Sequence, residues 1–249
     1  MNLSGKIGII TGAATTLGRA ISLSLAKSGL AVACLDSNLS EGELTASLIV
    51  NSGGSALPFS YESGNEESID NAIKDASDKM GTPSILCNAE DYGRYSHTTD
   101  QDASVLNKII SSNLVTPLLA TKAAMPHLLA TGGTVVNVVS SAGLRAVPFA
   151  AAYCASQAGL VMMTKSLALE YLERGVRVNA IAVSGIDSLF TPEKGFPAGM
   201  APKWLEQMKS PLGEIKAEYI AETVKFLVSE NAKFITGAVI SVDGGVSVQ

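Results

Sequence analysis

A chain of 249 residues has room for one large α/β domain with a substantial core and is short for two. Hydrophobic residues make up 47% and charged residues 16%, a globular balance, and a formal net charge of -5 gives no support to nucleic-acid binding. Three cysteines, Cys34, Cys87 and Cys154, sit in separate apolar stretches with neither the spacing of a disulfide framework nor that of a metal site.

The opening Met-Asn-Leu-Ser-Gly-Lys has no basic stretch followed by an apolar run, so no signal peptide is expected. No apolar run approaches the roughly 18 residues of a spanning helix, and the expectation is a soluble, cytoplasmic protein. Short apolar runs at 7–10, 31–35, 85–87, 134–139, 177–183 and 238–242 predict buried strands. Helical periodicity between them predicts helices over 17–28, 68–79, 103–129, 153–173 and 217–229. Alternation of this kind predicts a Rossmann-type α/β fold, a doubly wound parallel sheet with helices on both faces, in a single domain over 1–249. The segment 186–214 stands apart. It carries Pro192, Pro197, Pro202 and Pro211 among Phe190, Phe196, Met200 and Trp204, and reads as an apolar lid over a substrate cleft.

After the first predicted strand comes Thr11-Gly12-Ala13-Ala14-Thr15-Thr16-Leu17-Gly18. Further on stand Asn88-Ala89, Asn113, Ser140 and, thirteen positions later, Tyr153, then Asn179 and Gly185-Ile186, and finally Ile235-Thr236-Gly237 and Val242-Asp243-Gly244-Gly245. In this order the chain resembles the short-chain dehydrogenase/reductase family, most closely its ketoacyl-reductase-like branch. The resemblance implies a phosphate loop at Gly12, Thr16, Leu17 and Gly18 that faces a pyrophosphate with a helix N-terminus. It also implies Ser140, Tyr153 and Asn113 as catalytic residues, and cofactor contacts at Asn88, Ala89, Gly185 and Ile186. Asp36, at the end of the second strand, stands where an acid selects NAD over NADP, or else caps the Asp36-Ser37-Asn38 turn. Glu62 resembles the acid placed near the adenine amino group.

Five positions depart from the family pattern. Thr16 replaces the middle glycine of the phosphate loop, adding a β-branched side chain where backbone should approach the diphosphate. Cys87-Asn88-Ala89-Glu90 replaces Asn-Asn-Ala-Gly, so Glu90 brings bulk and negative charge, and Ser184 replaces a proline. Tyr153-Cys154-Ala155-Ser156-Gln157 replaces Tyr-x-x-x-Lys. Residues i and i+4 share a helix face, so the family lysine stands beside the tyrosine. A cation there shifts a tyrosine pKa by about 1–3 units from its ordinary value near 10. Its loss is worth a few powers of ten in rate. Gln157 offers a hydrogen bond to a ribose hydroxyl and no charge.

These departures predict weak or absent NAD(H) binding. The chain reads as a catalytically degenerate relative of NAD-dependent hydroxyl/ketone oxidoreductases, with the hydroxyacyl-thioester type as one candidate. It would assemble as a dimer or tetramer, with itself or with an intact family member. The alternative is an active NAD(H)-dependent oxidoreductase using Ser140 and Tyr153 without the lysine. A second alternative is a non-redox enzyme on this fold, as in halohydrin dehalogenases, although the arginine and aromatic those carry at the positions of Gln157 and Thr16 are missing. Arg145 reads as a solvated loop charge and Met162-Met163 as core or subunit interface. His97 and His127 have no ligand-like neighbours, so no metal is expected.

Overall fold

The computed structural model describes residues 1–184 and 196–249. Seven strands, β1 (Ile7–Thr11), β2 (Ala31–Asp36), β3 (Ser55–Ser60), β4 (Ile85–Asn88), β5 (Thr134–Ser140), β6 (Arg177–Val183) and β7 (Val239–Val242), form one sheet. All pairings are parallel, in the order β3-β2-β1-β4-β5-β6-β7. The order reverses between β1 and β4, which opens a crevice at the carboxyl ends of the central strands. β1, β2, β4, β5 and β6 are almost wholly buried, as expected of strands covered on both faces.

The helices are α1 (Thr16–Lys27), α2 (Leu39–Asn51), α3 (Glu66–Met80), α4 (Ala103–Ile110), α5 (Thr116–Thr131), α6 (Ala151–Glu170), α7 (Pro202–Met208) and α8 (Ala217–Val228). α1 buries Leu17, Gly18, Ile21, Ser22, Leu25 and Ala26, a stripe at helical spacing. That stripe joins Ile10, Val32, Cys34, Val136, Ile220 and Val224 in the core on one face of the sheet. On the other face Ile9, Leu35, Leu86 and Val135 pack with residues of α3 and α5. Among the described residues no helix is long and apolar enough to cross a membrane.

Three differences from the sequence reading stand out. α2 and β3 were not foreseen, and neither was α7 as a helix. The helix expected over 103–129 is interrupted by a five-residue π turn, Ser111–Val115. Pro117 has no N–H to donate to the carbonyl four residues back, that of Asn113, so the regular ladder cannot run through. Gly185, Ile186 and the stretch 186–195 of the expected lid lie outside the described residues.

Candidate active site

The loop after β1 is built on close backbone approach. Gly12 has φ +65, and a Cβ on it would lie 2.6 Å from the Glu90 Cα. A Cβ on Gly18 would lie 2.0 Å from the Gly12 carbonyl oxygen, so only glycine lets α1 start against this loop. Thr15 caps α1. Its hydroxyl accepts from Gly18 N at 2.9 Å and donates to Gly12 O at 2.8 Å. Thr16 is the first residue of the helix and is exposed. Asp36 is buried at the end of β2, and its carboxylate accepts from Ala14 N at 2.8 Å and Asn38 N at 2.9 Å. One oxygen therefore braces the glycine loop and the other caps the following turn.

Gly12, Thr15 and Asp36 border a cavity of about 510 Å³ that also includes Tyr61, Glu62 and Glu90. The Glu90 carboxylate accepts hydrogen bonds from the hydroxyls of Tyr61 and Ser63. Burial raises the Glu90 pKa above the usual carboxylate value, and the bonds from Ser63, Tyr61 and Ser112 oppose that rise. Tyr61, buried and facing Glu90, is held well above the ordinary tyrosine range. Glu62 is exposed and accepts from Asn65 Nδ2 at 2.9 Å.

A second cavity, of about 590 Å³, opens against the ends of β4, β5 and β6. Ser140, Tyr153 and Gln157 line it together. Asn88 and Asn113 brace its frame rather than facing it. Asn88 Nδ2 donates to Asn137 Oδ1 at 2.8 Å, tying β4 to β5, and the Ala89 N–H donates to Thr11 O at 3.2 Å. Asn113, on the π turn, accepts from Tyr92 N at 2.8 Å and donates to Tyr92 O at 2.9 Å and Ser156 Oγ at 3.1 Å.

Asp91 was missed by the sequence reading, and it reorganises this site. The Tyr153 hydroxyl donates to Asp91 Oδ2 at 2.9 Å. Gln157 Nε2 donates to Asp91 Oδ1 at 3.0 Å, while Gln157 Oε1 accepts from Ser140 N at 2.9 Å. The Ser140 side chain hydrogen-bonds Tyr153 in turn, so the four residues close a ring that starts and ends on Ser140. Both ends of the Gln157 amide are thus taken by protein, and the residue is 1% exposed. These bonds make Gln157 a brace between Asp91 and the end of β5. Burial pushes the Asp91 carboxyl up to about 7; the Tyr153 and Gln157 bonds oppose this and the Glu90 charge adds to it. Burial, followed by the Asp91 charge, holds Tyr153 well above the ordinary phenol value. Where the family pattern has a cation beside the tyrosine, this chain has an acid.

The walls of the cavity are apolar, with Leu17, Val138, Val139, Val183, Phe196 and Met208 among them. Phe196 packs on Tyr95 with ring centroids 5.1 Å apart, and the 202–210 stretch contributes further wall. Arg145 is not a free surface charge as expected. It lines the cavity and donates to the carbonyls of Val246 at 2.5 Å and Gln207 at 2.8 Å. Among the described residues no group of three metal-ligating side chains converges.

Residues 12–247 match the family model described as enoyl-(acyl carrier protein) reductase. The chain is 32% identical to a 2-(S)-hydroxypropyl-CoM dehydrogenase of Xanthobacter autotrophicus, across 98% of each chain. It is 30% identical to a 3-oxoacyl-acyl-carrier-protein reductase of Thermotoga maritima, across 100% of each. Among solved structures, a 3-ketoacyl-(acyl-carrier-protein) reductase from Brucella melitensis complexed with NADH superposes with a TM-score of 0.89 at 29% identity. That match covers 99% of this chain and 100% of the other. A dehydrogenase/reductase from Sinorhizobium meliloti gives a TM-score of 0.89 at 28% identity, covering 98% of this chain and 96% of the other.

Proposed function

Because the chain belongs to the short-chain dehydrogenase/reductase family, whose matched members are named dehydrogenases and reductases, we propose that it is a member in which nicotinamide-dependent hydride transfer is disabled. The observation that carries this reading is the acid, Asp91, that stands beside Tyr153 where the family pattern has a cation. A neighbouring cation lowers a phenol pKa and an anion raises it, by about 1–3 units in either direction. Exchanging lysine for the Asp91–Gln157 pair moves Tyr153 away from neutral-pH proton transfer twice over, once by the lost cation and once by the added carboxylate.

The cofactor cleft supports the same reading. A diphosphate dinucleotide does not fit these residues well. Glu90 holds a carboxylate between the glycine loop and Tyr61, and Thr16 adds an exposed side chain at the helix start. Both Asp36 oxygens already accept backbone bonds that ribose hydroxyls would have to share. We therefore infer weak or absent NAD(H) binding by a single cytoplasmic domain, with the described part of the lid segment, 196–214, covering the second cavity. For assembly, α6 exposes Met162 and Leu169 at 63% and 75%, seven residues apart on one face, with Leu172 just beyond and Leu118 of α5 also open. Such a stripe fits a dimer or tetramer, with a second copy or with an intact Tyr-x-x-x-Lys relative.

One observation favours a second reading. The Ser140 to Tyr153 hydrogen bond is retained, which an active NAD(H)-dependent oxidoreductase would need. The deciding experiment is NADH consumption by the isolated chain with a ketone or a β-ketoacyl thioester. The proposal expects none above background. Turnover that disappears in Tyr153→Phe overturns it.

A further inference from the structure

Asp91 borders both cavities, and its environment is that of a carboxylate short of a counter-ion. The donors it holds are neutral: the Tyr153 hydroxyl and the Gln157 amide. No ion pair found among the described residues involves it. Its titratable neighbours among the described residues are Glu90, Tyr95 and Tyr153, none of which supplies a positive charge. Among the described residues, the cations on the larger cavity are engaged elsewhere. Lys209 pairs with Glu206 at 2.8 Å, and Arg145 points to the carbonyls of Val246 and Gln207. The rest of the lining is dominated by aliphatic and aromatic side chains, and about 590 Å³ is room for a drug-sized molecule.

A half-buried carboxylate without a cation is costly, and a ligand bearing one gains by supplying it. We propose that this cavity is a cofactor-independent binding site for an apolar organic amine. The ammonium group donates to Asp91 and the hydrocarbon part packs on Leu17, Val139, Val183, Phe196 and Met208. This rests on the reading that no dinucleotide fills the cleft beside Asp91. The polar end discriminates by charge. A carboxylate ligand would face Asp91 with like charge, and an alcohol would bring a hydrogen bond without the ion pair. Raised by burial, the Asp91 carboxyl is partly protonated at neutral pH. An arriving ammonium favours its ionised form, so binding releases protons and strengthens as pH rises through about 7.

The test is calorimetry on the full chain without nucleotide, using phenethylamine, 2-phenylethanol and phenylacetate as one matched set and octylamine with octanol as another. At pH 8 each amine is expected to bind about tenfold or more tightly than its alcohol, as a charged hydrogen bond outweighs a neutral one, and phenylacetate not at all. In Asp91→Asn the amine preference should vanish. The wild type provides a readout independent of that variant's folding. Its amine-binding heat near pH 7 should depend on the ionisation enthalpy of the buffer, reporting proton release. Equal affinities for amine and alcohol, an amine preference kept in folded Asp91→Asn, or no buffer dependence overturns the proposal. A parallel NADH titration separates the two claims. Tight NADH binding refutes the disabled-site reading, whereas failure of the amines alone leaves that reading standing.

Discussion

Replacing Asp91 with asparagine exchanges the ionisable acid for a permanent stand-in for its protonated form. The side-chain oxygen of asparagine can keep the Gln157 Nε2 bond, and its NH2 can donate to the Tyr153 oxygen, since a hydroxyl also accepts. The folded-state carboxyl pKa is raised from an ordinary 3.8 to about 7. Between those values the folded wild type holds a proton that the unfolded chain has released, so this group's contribution to stability falls as pH rises and levels off above about 7. About 3 units at about 1.36 kcal/mol each set a ceiling near 4 kcal/mol. Partial solvent access at Asp91 reduces this to roughly 2 kcal/mol. For a chain of this size that corresponds to about 4–8 °C in melting temperature. Thermal melts of both proteins from pH 4 to pH 8.5 should show nearly equal stability at the acid end and Asp91→Asn increasingly more stable above it. A difference that does not change with pH, or a variant less stable at pH 8, would refute the assignment of Asp91 as a buried, uncompensated acid.

Gln157→Lys alone should gain little or no NADH-dependent turnover with a ketone. The new ammonium would pair with Asp91 and lose its grip on a ribose, so a large rate gain in a standard absorbance assay would contradict the account. Gly18→Ala should cost roughly 2–3 kcal/mol in urea unfolding, because its Cβ would overlap the Gly12 carbonyl oxygen at 2.0 Å; wild-type stability would contradict the close approach of loop and helix. Met162→Glu with Leu169→Glu places two charges on the exposed α6 stripe and should shift the sedimentation profile toward monomer, whereas an unchanged profile would move the interface elsewhere.

Much of the fold was legible because buried parallel strands read as apolar runs and α1, α3 and α8 carry plain helical stripes. β3 escaped because it is an edge strand, exposed on alternate residues and containing Pro58, and its pattern is weak for that physical reason. The π turn at Ser111–Val115 was hidden by continuous apolar periodicity, although Pro117 signalled the missing donor. At the site, Ser140, Tyr153 and Gln157 stand together as their spacing implied. Asp91 belongs to no spacing pattern and meets Tyr153 only because the loop after β4 reaches the start of α6. The available signal was an acidic pair, Glu90-Asp91, directly after a buried parallel strand, where a carboxylate has little choice but to find donors. Similarly, nothing in the sequence linked Glu90 to Tyr61 and Ser63, which reach it from the loop after β3.

The central claim is that side chains of this protein occupy the place of the nicotinamide dinucleotide. It is tested most directly by fluorescence titration of NADH into the wild type and into the Thr16→Gly/Glu90→Gly double variant under identical conditions. These two groups act on one ligand, so their joint removal should exceed the sum of the single effects. The account predicts no saturation for the wild type at submillimolar NADH and measurable binding for the double variant. A low-micromolar dissociation constant for the wild type, unimproved by the double change, would contradict it.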